Sequence, residues 1–190
     1  MENIEGRRVT GIRATVGAVV VALVGSLLVV FGATAPAAAA TTPAPAFGVP
    51  FHGTWGDYTD AQRAVVLDAL KANGAQSVRI DISWRMLEPV KSGTFDAWGL
   101  AQVDKAINMA AQRGLNPLVT LWMAPQWANG STDERVPVTS AAGLKGLTAV
   151  SKKLAIRYKT SVSAWEVWNE PDDNDFMRGA NPKVYAGMLR

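Results

Sequence analysis

The chain of 190 residues has no cysteine and one histidine, His52. Without cysteine there is no disulfide scaffold, no cysteine-based zinc site and no thiol nucleophile, and the redox compartment is left open. A single imidazole argues against a Ser-His-Asp triad and against a multi-histidine metal site, so neither a metal nor a cofactor is expected. Excess charge of either sign is also scarce. The formal net charge is +3, and Arg7, Arg8 and Arg13 fall within the first thirteen positions, which leaves no basic face to argue for nucleic acid. What remains is a composition of globular type, 48% hydrophobic and 18% charged, large enough for one sizeable core.

The N-terminus reads as an address. The three arginines precede the uncharged run ATVGAVVVALVGSLLVVFGATA, and the tract PAAAATTPAPA follows with small residues of the A-x-A cleavage type. This predicts a secretory signal peptide over residues 1–40, cleaved near Ala38 to Thr41, a Pro/Ala linker over 41–45, and a folded domain over 46–190. The expected location is extracellular. An uncleaved membrane anchor is the alternative, although the apolar core from Val16 to Phe31 is short of the roughly 20 residues a spanning helix needs unless the alanines are added.

Beyond the linker, strands and helices alternate. AFGVPFHG, SVRIDI, NPLVTL and VSAWEVW read as four strands. Between them, TDAQRAVVLDALKANG has Val65, Val66 and Leu70 at helical spacing and Gly74 as its stop. FDAWGLAQVDKAINMAAQRG has Asp96 as N-cap and Leu100, Val103 and Ile107 on one stripe, and SAAGLKGLTAVSKKLAIRYK turns Leu144, Leu147, Val150 and Leu154 inward. NPKVYAGMLR starts a fourth helix. Such alternation predicts a parallel sheet covered by helices. The segments from helix to strand are tight, whereas those from strand to helix are long and carry most of the aromatic and ionisable residues. That asymmetry fits a (β/α)8 TIM barrel, whose site is built from strand-to-helix loops at the C-terminal face. A doubly wound open sheet shares the polarity but usually has a Gly-rich phosphate turn after its first strand, and FHGTWGDYTD does not read as one.

Of seven tryptophans, Trp55, Trp84, Trp122, Trp127 and Trp168 fall at or just beyond the C-terminal ends of the predicted strands. A flat indole stacks well on the apolar face of a sugar ring and keeps its N–H for a polar partner, so these five suggest a carbohydrate groove; the alternative is that they plug the barrel mouth. Trp98, at a helix start, and Trp165, inside a strand, read as packing residues. The stretch SAWEVWNEPDDND adds two glutamates and three aspartates to the end of the fourth strand.

With those residues quoted, a family resemblance can be stated. WEVWNEP resembles the fourth-strand signature of the retaining glycoside hydrolases of clan A, especially the family 39 and family 5 types. VRIDISWRMLEP resembles their second strand with its arginine, and PLVTLWMAPQWANG the third strand and loop of the family 39-like branch. The resemblance runs from about Phe47 to the end of the chain. It implies that Glu170 is the general acid/base, Asn169 a partner for the sugar 2-hydroxyl, and Arg79 a barrel-floor cation near the carboxylates. The chemistry asks for the same arrangement: an oxocarbenium-like state needs a carboxylic acid beside the leaving oxygen and, for retention, a second carboxylate about 5 to 5.5 Å away. Glu170 lies where strand gives way to loop, between Trp168 and Pro171, and is expected to be rigid and partly desolvated. Glu166 shares its strand parity but reads as a buried partner of Arg79. Asp172, Asp173 and Asp175 read as a solvated loop, without the Gly and distal Glu of a calcium site. His52 either touches substrate or holds the first loop.

From Ala46 the chain offers about 145 residues, whereas a complete barrel takes about 250. It stops after four strands, and the family's nucleophile ends the seventh. The expectation is therefore the N-terminal half of a barrel that needs the missing C-terminal half of the same barrel as its partner. Its substrate would be a β-linked oligo- or polysaccharide, with no nucleic acid involved and membrane contact only through an uncleaved signal. A non-catalytic carbohydrate-binding or scaffolding barrel is the competing reading. A lyase or aldolase would want a Schiff-base lysine or metal ligands at a strand end, and none of the four has a lysine there.

Overall fold

The computed structural model describes residues 47–56 and 58–190; the signal-peptide and linker readings lie outside the described residues. The elements run β1 (Gly48–Pro50), α1 (Asp60–Ala72), β2 (Ser77–Ser83), α2 (Trp84–Leu87), α3 (Ala97–Gln112), β3 (Asn116–Trp122), α4 (Gln126–Asn129), α5 (Ala141–Arg157), β4 (Ala164–Val167) and α6 (Pro182–Met188). All pairings are parallel, in the order β1-β2-β3-β4, as the alternation of elements requires. Two short helices, α2 and α4, stand in the loops after β2 and β3, and the periodicity did not reveal them because one turn carries no period.

The long helices start where side chains can satisfy their orphan N–H groups. Thr59 and Gln62 form a reciprocal capping box on α1, the Asp96 carboxylate accepts from Gly99 N on α3, and Ser140 Oγ accepts from Gly143 N on α5. α1 and α3 are each followed by a glycine in the left-handed region, Gly74 at φ 86° and Gly114 at φ 66°, which a Cβ would penalise.

The sheet has two chemically different faces. Val78, Ile80, Ile82 and Val119 are fully buried beneath the helices with Leu121. Alternating with them, Arg79 and Asp81 on β2, Thr120 on β3 and Glu166 on β4 share the other face, where the register sets Asp81 beside Thr120 and Thr120 beside Glu166. A parallel strand covered on both sides reads as continuously apolar. Here the inner face is polar, as suits the interior of a barrel that opens onto a site.

On α1, Val65 is 69% exposed, contrary to the expected stripe, and the buried positions are Arg63 and Leu67, one turn apart. Arg63 can be 1% exposed because its donors are used: Nε to the Gly53 carbonyl at 2.6 Å, Nη1 to Asp60 at 2.8 Å and Nη2 to Gln102 at 2.6 Å. Trp98, read as a packing residue, is 54% exposed. On α5, Leu147, Val150 and Leu154 are buried as expected, while Leu144 only packs against the margin of the core.

Candidate active site

Arg79 organises the polar face. Its planar guanidinium donates from Nε to Glu166 Oε2 at 2.7 Å, from Nη1 to Asp81 Oδ1 at 2.8 Å and from Nη2 to Asn169 Oδ1 at 2.8 Å, a fork that fixes three partners in one plane. Thr120 Oγ1 donates to the same Glu166 oxygen at 2.6 Å. The Arg79–Glu166 pair read from the sequence is present, but it is not buried: both side chains are partly exposed and open into a cleft. Since arginine only donates, the Asn169 atom facing it is the amide oxygen, and the amide NH2 is left as a donor for something else.

Beyond β4 the backbone is strained. Trp168 sits at φ 72° and Glu170 at φ 38°, conformations that cost energy for a side-chain-bearing residue and persist only where the surroundings hold them. The surroundings do so. Trp168 is buried and its indole N–H donates to the Phe176 carbonyl at 3.1 Å, and Asp173 N donates to the Glu170 carbonyl at 3.0 Å. Arg178 ties this loop to the loop after β3 through Nε to Asp133 Oδ2 at 3.0 Å and its backbone N to the Arg135 carbonyl at 2.9 Å. Hydrogen bonds from Arg135, then from Arg178, hold the Asp133 carboxyl well below the usual range. Glu170 itself is exposed, so the desolvation expected for it is not supplied by the described residues. A cavity of about 660 Å³ lies at this strand end, lined by Arg79, Glu166, Asn169, Glu170 and Tyr185 and reaching Pro50.

His52 comes from the loop after β1. Its Nδ1 is 3.0 Å from Asp81 Oδ2, an approach that lacks the alignment of a hydrogen bond, and Trp55 stacks on its ring at 4.5 Å with a 32° tilt. Asp81 thus faces Arg79 with one oxygen and His52 with the other.

The groove of five indoles needs correction. Trp55 alone of the five presents a large exposed face, at 50%. Trp84 is 1% exposed, donates to Glu88 Oε2 at 2.9 Å and meets Trp127 edge to face at 5.3 Å. Trp127 spends its N–H on the Glu88 carbonyl at 2.6 Å; together the two brace the loops after β2 and β3. Trp122 and Trp168 are buried, the former against Phe176 at 6.0 Å with no partner for its N–H among the described residues. Sequence reasoning found the strand end on which each indole sits but not the side to which it turns. It also passed over Thr120 and the Asp133–Arg178 tie; the first shares the inner face with Asp81 by strand register, and the second joins two loops with no common period.

A parallel sheet with a helix after each strand, and a polar inner face leading to ionisable side chains at the strand ends, is the architecture of a (β/α) barrel. The model of the family Cellulase (glycosyl hydrolase family 5) matches residues 37–185, and the chain belongs to that family; of the two clan A types resembled, it is family 5. Solved structures share the fold. An exo-β-1,4-mannosidase from Opitutaceae bacterium strain TAV5 superposes with a TM-score of 0.60 at 19% identity, over 76% of this chain and 28% of that one. A GH5_18 variant from Bifidobacterium longum subsp. longum, in complex with Manβ1-4GlcNAc, gives 0.57 at 17% identity over 76% and 38%. GH5_18 from Streptomyces cattleya, in complex with GlcNAc, gives 0.55 at 19% over 76% and 40%. The chain thus spans well under half the length of each.

Proposed function

We propose that the chain is the N-terminal part of a secreted, retaining glycoside hydrolase that cleaves β-linked oligo- or polysaccharide, with Glu170 as general acid/base. The observation that carries this reading is the end of β4: Glu170 stands exposed in a strained backbone over a cleft of about 660 Å³, beside an Asn169 whose amide oxygen is taken by Arg79. The β-linked substrate rests on the names of the neighbours with the same fold, an exo-β-1,4-mannosidase and a complex with Manβ1-4GlcNAc.

In this reading Glu170 protonates the departing glycosidic oxygen and later takes a proton from the water that releases the sugar. The Asn169 NH2 donates to the 2-hydroxyl, a contact that strengthens as the oxocarbenium character develops. Arg79 bonds both Asp81 and Glu166, one cation shared by two carboxylates, so that the inner face accepts a polar ligand without exposing it to two unpaired anions. The nucleophile comes from a further part of the barrel, after a seventh strand outside these 190 residues. Export follows from the arginines, apolar run and alanine tract of residues 1–40.

The test is Glu170→Ala in the polypeptide read through past Arg190. Hydrolysis of glycosides with poor leaving groups should fall by about 10² to 10⁴, the usual worth of general acid catalysis, and that of activated aryl glycosides much less. Azide should restore turnover and give a glycosyl azide of retained configuration. An azide product of inverted configuration would make Glu170 the nucleophile, and a read-through protein without glycosidase activity would remove the enzymatic reading. N-terminal sequencing of secreted material should begin between residues 38 and 41.

A further inference from the structure

Two tryptophans show large exposed faces, Trp55 at 50% and Trp98 at 54%. Each of these indoles carries a large apolar face with a polar N–H at one edge. For some exposed side chains, position in the sheet supplies the reason: Val65 lies on α1, beside the open edge at β1, and Leu189 lines the cavity at the open edge of β4. Trp98 differs. It starts α3, which crosses the central strands and has its neighbours in place, with α1 joined through Arg63–Gln102 and Lys105–Asp60 and α5 joined through Arg157–Asp104. Among the described residues α3 thus has a helix on each side.

The Trp98 ring also has a prepared seat. A Cβ on Gly56 would stand 3.3 Å from two carbons of its benzo edge, so the ring rests closely on Gly56 and would have to shift slightly for any larger residue. The helix start is fixed, because Asp96 caps α3 through Gly99 N at 2.7 Å and its own N–H donates to the Leu87 carbonyl at 2.8 Å. Gly56 is next to Trp55. Contacts therefore run unbroken from the strand end to the rim: Asn169 to Arg79, Arg79 to Asp81, Asp81 to His52, His52 to Trp55, and across Gly56 to Trp98.

We infer that Trp98, with Trp55 across Gly56, forms a sugar-binding platform at the rim of the cleft that takes pyranose units of a β-linked polysaccharide remote from the bond being cleaved. The chemistry is specific to that ligand class. The C–H faces of β-linked pyranoses are flat and apolar and stack on an indole, while their equatorial hydroxyls stay in water. The platform rests on the glycosidase reading only in needing a glycan in the cleft; its own contribution is affinity for long chains.

The experiment uses the read-through protein with soluble glucomannan, barley β-glucan and an aryl β-monoglycoside as probes. Trp98→Ala should raise KM for the polymers about tenfold at constant kcat, the worth of one aromatic stacking contact. KM for the monoglycoside, too short to reach the rim, should move less than twofold, and Trp98→Phe should recover most of the loss. Equal KM changes on polymer and monoglycoside, or none on either, would overturn the platform. Should the wild type hydrolyse nothing, the glycosidase reading falls while the platform is still judged, by retardation in gels containing the same polymers. Retardation lost in Trp98→Ala supports it, and retardation unchanged overturns it.

Discussion

The centre and the edges of this sheet obey different rules although they share one polar face. β2 and β3, each with a neighbour on both sides, bury Val78, Ile80, Ile82 and Val119 completely, whereas β4 leaves Ala164 exposed and Trp165, Glu166 and Val167 only half-buried. The two edges also differ from each other. Phe51 N donates to the Arg79 carbonyl, so by strand alternation Pro50 faces outward, where it has no N–H to offer, and β1 is blunted as a template for another strand. β4 carries no proline and keeps its outward donors. Arg79 is anchored in the centre yet bonds Glu166 and Asn169 at the edge. The buried centre thus holds the strand-end side chains of the edge in place.

The most direct way to break the comparison is to truncate one apolar side chain in each region. Ile80→Ala, at a fully buried position of β2, should cost about 2 to 5 kcal/mol, the transfer loss plus the cavity left behind. Val167→Ala, half-buried on β4, should cost less than about 1 kcal/mol, because much of its surface already meets water. Urea unfolding midpoints at constant slope would measure both. Equal losses would mean that β4 is covered as well as β2 is.

The same division decides how much could be read from the sequence. Strands, long helices and their order follow from periodicity and caps, which are local. The alternation of Arg79 and Asp81 with Val78, Ile80 and Ile82 stands in the sequence at period two, although reading SVRIDI only as a strand leaves its polar face undrawn. Arg63 was not legible, since a stripe count treats arginine as surface, and only the distant Gly53 carbonyl and Gln102 make its burial tolerable. Trp84 and Trp127 were misplaced for a similar reason. Their N–H groups are claimed by the side chain and the carbonyl of Glu88, and a strand-end position does not say whether an indole turns toward the cleft or toward such an acceptor. The exposure of Trp98 was equally hidden, because helical position does not record that α3 is flanked by α1 and α5.

A second effect, smaller than core truncation, should appear in alkali and belongs to the centre alone. Asp104 on α3 accepts from Tyr158 Oη at 2.9 Å and from Arg157 at 2.6 Å, joining α3 to α5. Burial, then the hydrogen bond to Asp104, pushes the Tyr158 phenol far above its ordinary value. For Asp104 burial pushes in the same upward direction, but the bonds from Arg157 and Tyr158 outweigh it and hold the carboxyl below the usual range. A tyrosine with a raised folded pKa binds its proton more tightly when folded, so stability is intact below the unfolded value of about 10 and falls as pH rises beyond it. The loss should be no steeper than about 1.4 kcal/mol per pH unit, and Tyr158→Phe should remove it. The Asp104 contribution has the opposite sense, being present above about pH 4 and lost as the medium is acidified. Unfolding midpoints between pH 8 and 11 for wild type and Tyr158→Phe decide the matter, and parallel curves would show that the phenol does not couple to folding.

The smallest expected effect tests the edge most sharply. Val65 projects from the outer side of α1, where Tyr58, Ala61, Gln62 and Val66 surround a shallow cavity of about 370 Å³. The opposite flank of the helix is fixed by Arg63 and Leu67 in the core, so a change at Val65 should not disturb its seating. Val65→Lys replaces a β-branched residue with a better helix former and places a cation three residues before Asp68. It also removes an exposed apolar surface. Each contribution is a few tenths of a kcal/mol and none is unfavourable, so the net change should lie between zero and about 0.5 kcal/mol of added stability. That outcome holds only while water is the neighbour of Val65. If the substitution costs more than about 1 kcal/mol in the read-through polypeptide, a further element buries the valine there, since an ammonium group driven into an apolar contact must be desolvated without a partner. The edge of α1 would then be an interior surface in the larger protein, and its difference from the centre would be one of sequence length and not of design.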